Sequence, residues 1–233
     1  MWPGARKVDA ICREAGIAAV VGWWRVEVDD VVAVGHRGGM FEGDPKARAD
    51  LKAGTLYAVS GDDGWVYYGQ VSPDKSVGFF RRRDRQIAEI AEILAQPTMS
   101  VVKVAYPSIT RALRSGLWKK LGRFDLAHDL EGPRQTIQWP VGTLVVTVWT
   151  DGKPSRDTTV DDPTIQDLER MAVWDAQHHI PGRLTADFGV ERSEWNVGGP
   201  IWRERRIKEE LASRNPDKSW QALPAGWVHT IRR

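Results

Sequence analysis

Cysteine and long apolar runs are nearly absent from this chain of 233 residues. The single cysteine, Cys12, excludes an intramolecular disulfide and a cysteine-rich zinc site. No apolar run approaches the roughly 20 residues that span a bilayer, and the apolar start is interrupted by Asp9, Arg13 and Glu14, with no small-residue cleavage pattern after it. The sequence therefore predicts a soluble cytoplasmic protein with no membrane partner.

An excess of charge is missing as well. The chain has 33 basic and 31 acidic residues, which gives a formal net charge of +2. So balanced a composition argues against nucleic acid as the main partner, and also against an acidic surface that mimics nucleic acid.

The motifs of the common enzyme classes are missing too. The sequence has no GxxxxGK[ST] or GxGxxG phosphate-binding loop and no GxSxG nucleophile elbow. Cys12 has no evident base near it in sequence, so we interpret it as a structural thiol. We therefore predict that the protein is not an enzyme and binds no cofactor.

One segment suggests a metal site as an alternative. In "DAQHH", Asp175 precedes His178 and His179 by three and four residues, so one helical face would present a carboxylate and an imidazole. A third ligand would have to come from elsewhere, for example Asp187. Histidines at a helix end also commonly face solvent or pair with the last carbonyls, and we favour that interpretation.

The part of the chain from Leu51 onward indicates strands first. "GTLYAV", "WVYYGQV" and "VGFF" are rich in β-branched and aromatic residues, and turns at Asp63–Gly64 and Pro73–Asp74 separate them. This pattern predicts a β-meander. Further strands are expected in "MSVVKVAY" and, as one long or two short strands, in "QTIQWPVGTLVVTVWTDGKP", which ends at the turn Asp151–Gly152.

Three helices are expected between and after these strands. The first, in "DRQIAEIAEILAQP", would be capped by Asp84, with a buried stripe that includes Ile87 and Ile90. The second, in "PSITRALRSG", would have Ser108 as its N-cap and Gly116 as its C-cap. The third would occupy 161–179, and its stripe comprises Ile165, Leu168, Met171 and Ala172. The predicted fold is α+β and mainly β: an antiparallel β-meander or small barrel-like sheet with about three helices packed on it.

Composition divides the chain into three parts. Residues 1–50 form an N-terminal extension, in which two strands are expected around Asp29–Asp30, followed by a turn-rich linker. Met40 lies in that linker, which raises the hypothesis that the native product starts there; N-terminal peptide mapping would test it. Residues 51–184 form a β-rich domain, and 185–233 a basic extension with several tryptophans and a helix over 201–213.

The basic run from Arg81 to Arg85 supports an alternative function. Its arginines would contact phosphates while Phe79 and Phe80 stack on bases, as in small nucleic-acid-binding barrels. The other interpretation is a solvated strand end that Glu89 and Glu92 neutralise.

Tryptophan is the unusual residue of this chain, with 12 copies. Those within or beside the expected strands and helices belong in the core; they are Trp118, Trp139, Trp149 and Trp174. Those of the C-terminal extension either dock the tail back onto the domain or form an exposed partner-binding patch; they are Trp195, Trp202, Trp220 and Trp227.

Three pieces in order resemble a known family. They are the meander "AGTLYAV…GWVYYGQV…VGFF", the turn "SGLWKKLG" and the segment "DLERMAVWDAQHHIPGRL". Together they resemble the immunity protein 26 family of bacterial polymorphic toxin systems over about residues 51–184. The residues that carry the resemblance, called here the signature residues, are Gly69, Gly116, Trp118, Gly122, Leu168, Glu169, Trp174, Arg183 and Leu184.

The resemblance implies a function without catalysis. Proteins of this kind bind a cognate toxin C-terminal domain encoded beside them and neutralise it by occlusion. Contact residues cannot be transferred from the family, since such families diverge where they touch their toxins.

The turn "SGLWKKLG" illustrates the structural interpretation. We expect Trp118 to point inward and cover the meander, with Lys119 and Lys120 in solvent and Leu121 in the core. Gly122 would let the chain reverse.

Overall fold

Two β-sheets and four α-helices make up the part of the protein that the computed structural model describes, residues 39–62, 64–189 and 198–230. The expected strands around Asp29–Asp30, Cys12 and Trp195 lie outside these residues. The predicted class, α+β and mainly β, is confirmed.

The first sheet contains the predicted meander and is curled into a half-barrel. Its strands, in chain order, are β1 (Thr55–Ser60), β2 (Val66–Val71), β3 (Val77–Asp84), β4 (Thr98–Val104), β5 (Trp118–Arg123) and β10 (Val173–Trp174). They are arranged as β10-β4-β3-β2-β1-β5. All neighbours pair antiparallel except β10, which pairs parallel with β4.

The second sheet is smaller and has the order β8-β7-β6-β9. Its strands are β6 (Gln135–Gln138), β7 (Val145–Thr150), β8 (Lys153–Thr159) and β9 (Glu169–Arg170). The turn at Asp151–Gly152 is confirmed, and it connects β7 to β8. Sequence inspection missed β8 because this edge strand is polar and almost wholly exposed, so it has no apolar alternation.

The four α-helices are α1 (Ile90–Leu94), α2 (Tyr106–Arg114), α3 (Ile180–Gly189) and α4 (Ile201–Arg214). The expected helices over 107–116 and 201–213 are confirmed as α2 and α4. Short 3-10 turns occupy His128–Leu130, Pro163–Ile165 and Ser219–Gln221. Within the described residues, no helix has the length and apolar character needed to cross a bilayer.

The expected N-caps of the first two helices are wrong, and the C-cap of the second is Ser115, one residue before the predicted Gly116, which has a positive φ of 74°. Asp84 does not cap α1, because it is the last residue of β3 and pairs with Arg82. Ser108 lies inside α2, where its hydroxyl donates to the carbonyl of Ala105. The first helix is also shorter than predicted, and Ile87 lies outside it with 37% of its surface exposed.

The third expected helix, over 161–179, is wrong. In its place the chain forms the 3-10 turn Pro163–Ile165 and then the two short strands β9 and β10. Ile165 and Leu168 pack in the core of the second sheet, whereas Trp174 packs in the core of the first. The apolar residues of one helical face all point to the same side, so they cannot pack in two separate cores. The apolar spacing of three and four residues therefore predicted a helix that does not form.

Two cores lie on opposite faces of the first sheet, and a third covers the second sheet. Tyr57 belongs to the first core with Trp118, while its neighbour Leu56 belongs to the second core with Phe80, as the alternation of a strand requires. The third core is built around residues such as Ile137.

Trp118 points inward as predicted, with 1% of its surface exposed. Its ring contacts those of Tyr57 and Phe79, at centroid distances of 5.5 and 6.2 Å. Its indole N–H donates to the carbonyl of Ala176 at 3.1 Å. Lys119 and Lys120 are exposed on the same strand, in agreement with the prediction.

The expected chain reversal at Gly122 is wrong. This residue lies inside β5, where it pairs with Leu56 and has a φ of 143°. Its positive φ coincides with an irregularity in the pairing of β1 with β5 and does not mark a turn.

Candidate functional site

The side chains around the basic run at the end of β3 lie on two opposite faces of the first sheet. Phe79 packs in the first core and Phe80 in the second. The pairing of β3 is irregular between Phe79 and Arg83, but the arginines still continue the two faces, as their contacts with Phe188 on one side and Glu92 on the other indicate. Arg81 and Arg83 extend the face of Phe79, and Arg82 extends the face of Phe80.

The predicted base-stacking role of Phe79 and Phe80 is wrong. Both rings are completely buried in the sheet cores, so neither can stack on a nucleotide. The arginines of the run remain at the surface: Arg81 and Arg85 are exposed, and Arg83 is half-buried.

Arg81, Arg83 and Arg85 form a surface ladder with Trp65 and Phe188, called here the arginine–aromatic ladder. The guanidinium carbon of Arg85 lies 3.8 Å from the Trp65 ring centroid, and that of Arg83 lies 4.8 Å from it. Arg83 is also 4.3 Å from the Phe188 centroid, and Arg81 is 5.8 Å from it. These distances are within the range of cation–π contacts.

Three elements position this ladder. Trp65 immediately precedes β2, the arginines come from β3 and the residue after it, and Phe188 lies near the end of α3. Arg83 is directly opposite Tyr67 in the strand pairing, and the Tyr67 ring meets Phe188 edge-on at 6.1 Å. The ladder therefore continues the buried aromatic face of the sheet out to the surface.

Arg82 has a different role from its neighbours. It pairs with Asp84 and Glu92, each at 2.8 Å. The hydrogen bond to Asp84 raises the pKa of Arg82 above its ordinary value, in spite of a smaller opposing effect of desolvation. For Arg82, this pairing agrees with the interpretation of a solvated strand end whose charge is neutralised, and Glu92 is one of the neutralising residues.

The residues of the alternative metal site have other partners. The Asp175 carboxylate accepts hydrogen bonds from the backbone N–H groups of Gln177 and His178 and pairs with Arg111 at 2.9 Å. Burial raises the pKa of Asp175, but these hydrogen bonds outweigh it and lower the pKa below its ordinary value. The imidazole Nδ1 of His179 accepts from the Asp175 N–H. Across the described ranges, no group of three or more His, Cys, Asp and Glu side chains is arranged to hold a metal ion.

The tail tryptophans differ in exposure. Trp227 stacks on Trp139 at 6.0 Å, and its N–H donates to Glu209, so this part of the tail docks onto the domain. Trp202 is half-buried in α4. Trp220 has 72% of its surface exposed. Trp195, the fourth candidate, lies outside the described residues.

Most signature residues meet in one buried assembly. Gly69 packs against Phe79, a position where a Cβ atom would lie 2.8 Å from the ring. Trp118, Trp174 and Leu184 share the first core. The Arg183 guanidinium lies 5.7 Å from the Trp174 centroid and pairs with Glu169. The other three lie outside this assembly: Leu168 packs against the third core, and Gly116 and Gly122 have positive φ angles.

Arg183 is the centre of a buried ion-pair network. It is completely buried and pairs with Glu169 and with Asp187, which in turn pairs with Arg203 of α4. Burial lowers the pKa of Arg183, but the two carboxylates outweigh it and raise the pKa. Burial raises the pKa of Glu169, against the opposing effect of Arg183. The carboxylate of Asp187 is therefore paired with Arg183 and Arg203 and is not available as a metal ligand.

Comparison with known proteins gives no relative. No protein-family model matches the chain, and no curated protein or solved structure matches it. The resemblance to the immunity protein 26 family therefore depends on the signature residues alone.

The ladder was only partly visible in the sequence. The basic run is apparent in the sequence, but its contacts with Trp65 and Phe188 are not, because these residues lie 16 positions before and 107 positions after Arg81. The local signal was the alternation itself: in "VGFFRRRDR" the arginines that follow the first-core residues Val77 and Phe79 lie at the same spacing of two.

Proposed function

We propose that this protein is a cytoplasmic immunity protein, which binds the C-terminal domain of a cognate bacterial toxin and neutralises it by occlusion without catalysis. The toxin is expected to be encoded beside it. Binding would cover the active site of the toxin through an interface of standard size, roughly 800 Å² per partner.

The observation that carries this proposal is the convergence of the signature residues. Pieces separated by more than 100 residues in sequence, from Gly69 to Leu184, contribute to the same core and ion-pair network. This convergence is compatible with the fold that the resemblance implies, and it supports the proposal; the function is argued from the resemblance and not from the fold.

A rescue assay tests the proposal. The C-terminal domain of the neighbouring upstream gene product is expressed in a bacterial host, with and without this protein. We expect growth to stop with the domain alone and to resume when both are present, together with a co-purifying complex. Toxicity that this protein does not relieve would refute the proposal.

A nucleic-acid-binding function is the second candidate, and one observation favours it. Arg81 and Arg83 lie on β3 and Arg85 directly follows it, so three positive side chains are spaced along one extended segment, which suits a phosphate backbone. Binding of this kind falls steeply with salt. Fluorescence anisotropy with a labelled single-stranded oligonucleotide, at 50 and 200 mM salt, distinguishes the two functions, because the immunity function predicts no binding at either concentration.

A further inference from the structure

The arginine–aromatic ladder has the chemistry of a carboxylate-binding surface. A guanidinium stacked on a ring uses its flat face for the contact and keeps its N–H donors in the plane of the group. Those donors form a rigid fork that fits a carboxylate through two parallel hydrogen bonds. Arg81 and Arg85, both exposed, lie at the two ends of the ladder. Nη1 of Arg85 donates to the Gly64 carbonyl at 3.1 Å, which leaves the other N–H groups of this guanidinium for a partner.

The ladder is also held in place before any partner arrives. Trp65 contacts Arg83 and Arg85, and Phe188 contacts Arg81 and Arg83, so every arginine has a ring beside it. Phe188 in turn rests on the buried ring of Tyr67. A side chain that is already ordered loses less conformational freedom on binding, which favours affinity.

Three features favour a protein partner over a single-stranded nucleic acid. Single-strand binders offer open aromatic rings to successive bases, whereas the rings of Trp65 and Phe188 are half-buried and each contacts two guanidinium groups. Arginine and tryptophan are also the residues most enriched at the energetic centres of protein interfaces. The balanced net charge of +2 does not supply the broad basic field of a nucleic-acid-binding protein.

We propose that the arginine–aromatic ladder is the toxin-binding surface, and that it recognises a cluster of aspartate and glutamate side chains on the toxin domain. This inference rests on the proposed immunity function. Positive charge on the ladder would then complement negative charge on the toxin, and the aromatic rings would anchor the guanidinium groups between the two proteins.

The test uses the full chain with two charge reversals, Arg81→Glu and Arg85→Glu, against the purified toxin domain. We expect the double variant to lose about 100-fold or more in affinity by isothermal titration calorimetry, because like charges then face each other. It should also fail to rescue growth. Equal affinity and full rescue by the double variant would overturn the inference and leave the immunity function standing.

The matched control carries Arg206→Glu and Lys153→Glu. Both residues are exposed, on α4 and β8, and the pair changes the net charge by the same amount. We expect this control to bind like the unchanged protein, and thermal unfolding should show that both double variants remain folded. An equal loss of affinity in the control would overturn the inference, because the effect would then come from net charge.

A conservative pair separates charge from geometry. Arg81→Lys with Arg85→Lys keeps the positive charge but removes the planar fork, so we expect about a 10-fold loss of affinity. Affinity equal to that of the unchanged protein would overturn the carboxylate-fork geometry.

Failure of the unchanged protein to bind or rescue would refute the immunity function and this inference with it. Salt-dependent binding of a 20-nucleotide single-stranded DNA, lost with the charge reversals, would assign the ladder to nucleic acid and overturn the inference.

Discussion

At the scale of single residues, side chains that are conspicuous in the sequence are buried and pack in the interior of the protein. Trp118, followed in sequence by two exposed lysines, is almost completely buried and contacts two other aromatic rings. Arg183, which the resemblance pointed to, is a buried partner of two carboxylates. Residues that stand out in this sequence are therefore largely those that stabilise the fold.

Replacement of Trp118 by alanine should destabilise the protein by about 3–5 kcal/mol. The change removes a ring with 1% exposure and the hydrogen bond to the Ala176 carbonyl. Urea denaturation followed by circular dichroism measures the free energy of unfolding.

Trp220→Ala is the matched control for Trp118→Ala, because 72% of the Trp220 surface is exposed. We expect its stability to stay within about 0.5 kcal/mol of the unchanged protein. If Trp118→Ala kept its full stability and lost only toxin binding, Trp118 would belong to the interface and not to the core.

Sequence inspection located the buried residues of the meander because their signals are local. Aromatic and β-branched residues between turn residues specify strands without reference to the rest of the chain, as in β1 to β3. The ladder could not be predicted in full, because its rings reach the arginines only through the tertiary fold, with Phe188 contributed by α3. Strand alternation places Phe79 and Phe80 on opposite faces, but the sequence does not show that a core covers each of these faces.

At the scale of elements, the segment from Asp162 to Trp174 is the one where local pattern and final structure disagree. It forms a 3-10 turn and two short strands, β9 and β10, each belonging to a different sheet. The local apolar spacing favours a helix here. However, residues of this segment are buried in two different cores, and this burial outweighs the helix propensity of the segment. Such a conflict is invisible until the second core is known.

Asp162 should contribute to the stability of this segment in a pH-dependent way. Its carboxylate caps the 3-10 turn by accepting from the N–H of Thr164, and it also accepts from the hydroxyls of Thr164 and Thr158. These hydrogen bonds, led by that of the Thr164 hydroxyl, lower the pKa of Asp162 well below its ordinary value of 3.8. A lowered pKa in the folded state means that the stabilisation is present above pH 3.8 and is lost as the pH falls further.

We therefore expect Asp162→Ala to lose about 1–2 kcal/mol of stability at pH 7, and the difference from the unchanged protein to shrink below pH 3.8. Urea denaturation at pH 7, 4 and 3 measures it. Asp217→Ala, at an exposed position after α4, is the control and should show no such dependence. A difference that grows toward low pH would contradict the role assigned to Asp162.

At the scale of the whole molecule, the described C-terminal residues are integral to the second sheet. Ile201, at the start of α4, is buried in the third core, and Trp227 packs against the same core. Arg203 of α4 pairs with Asp187 of α3. Loss of α4 would therefore open the third core and leave Asp187 with one arginine fewer.

A chain that stops after Gly189 should lose the cooperative unfolding of the second sheet. Removal of α4 takes away Ile201 and Arg203, so apolar surface and a buried carboxylate are exposed together. Thermal unfolding and limited proteolysis measure the effect. A chain that stops after Arg214 keeps α4 and should be affected less. An unchanged melting temperature in the shorter chain would contradict the role of α4.

The most direct test of neutralisation by occlusion is a titration of the purified toxin domain with this protein, with toxin activity as the readout. We expect activity to fall in proportion to the protein added and to reach zero at one equivalent, with full activity recovered when denaturation and refolding separate the two. Complete inactivation by a small fraction of an equivalent would indicate catalysis. Undiminished activity at a large excess would contradict immunity altogether.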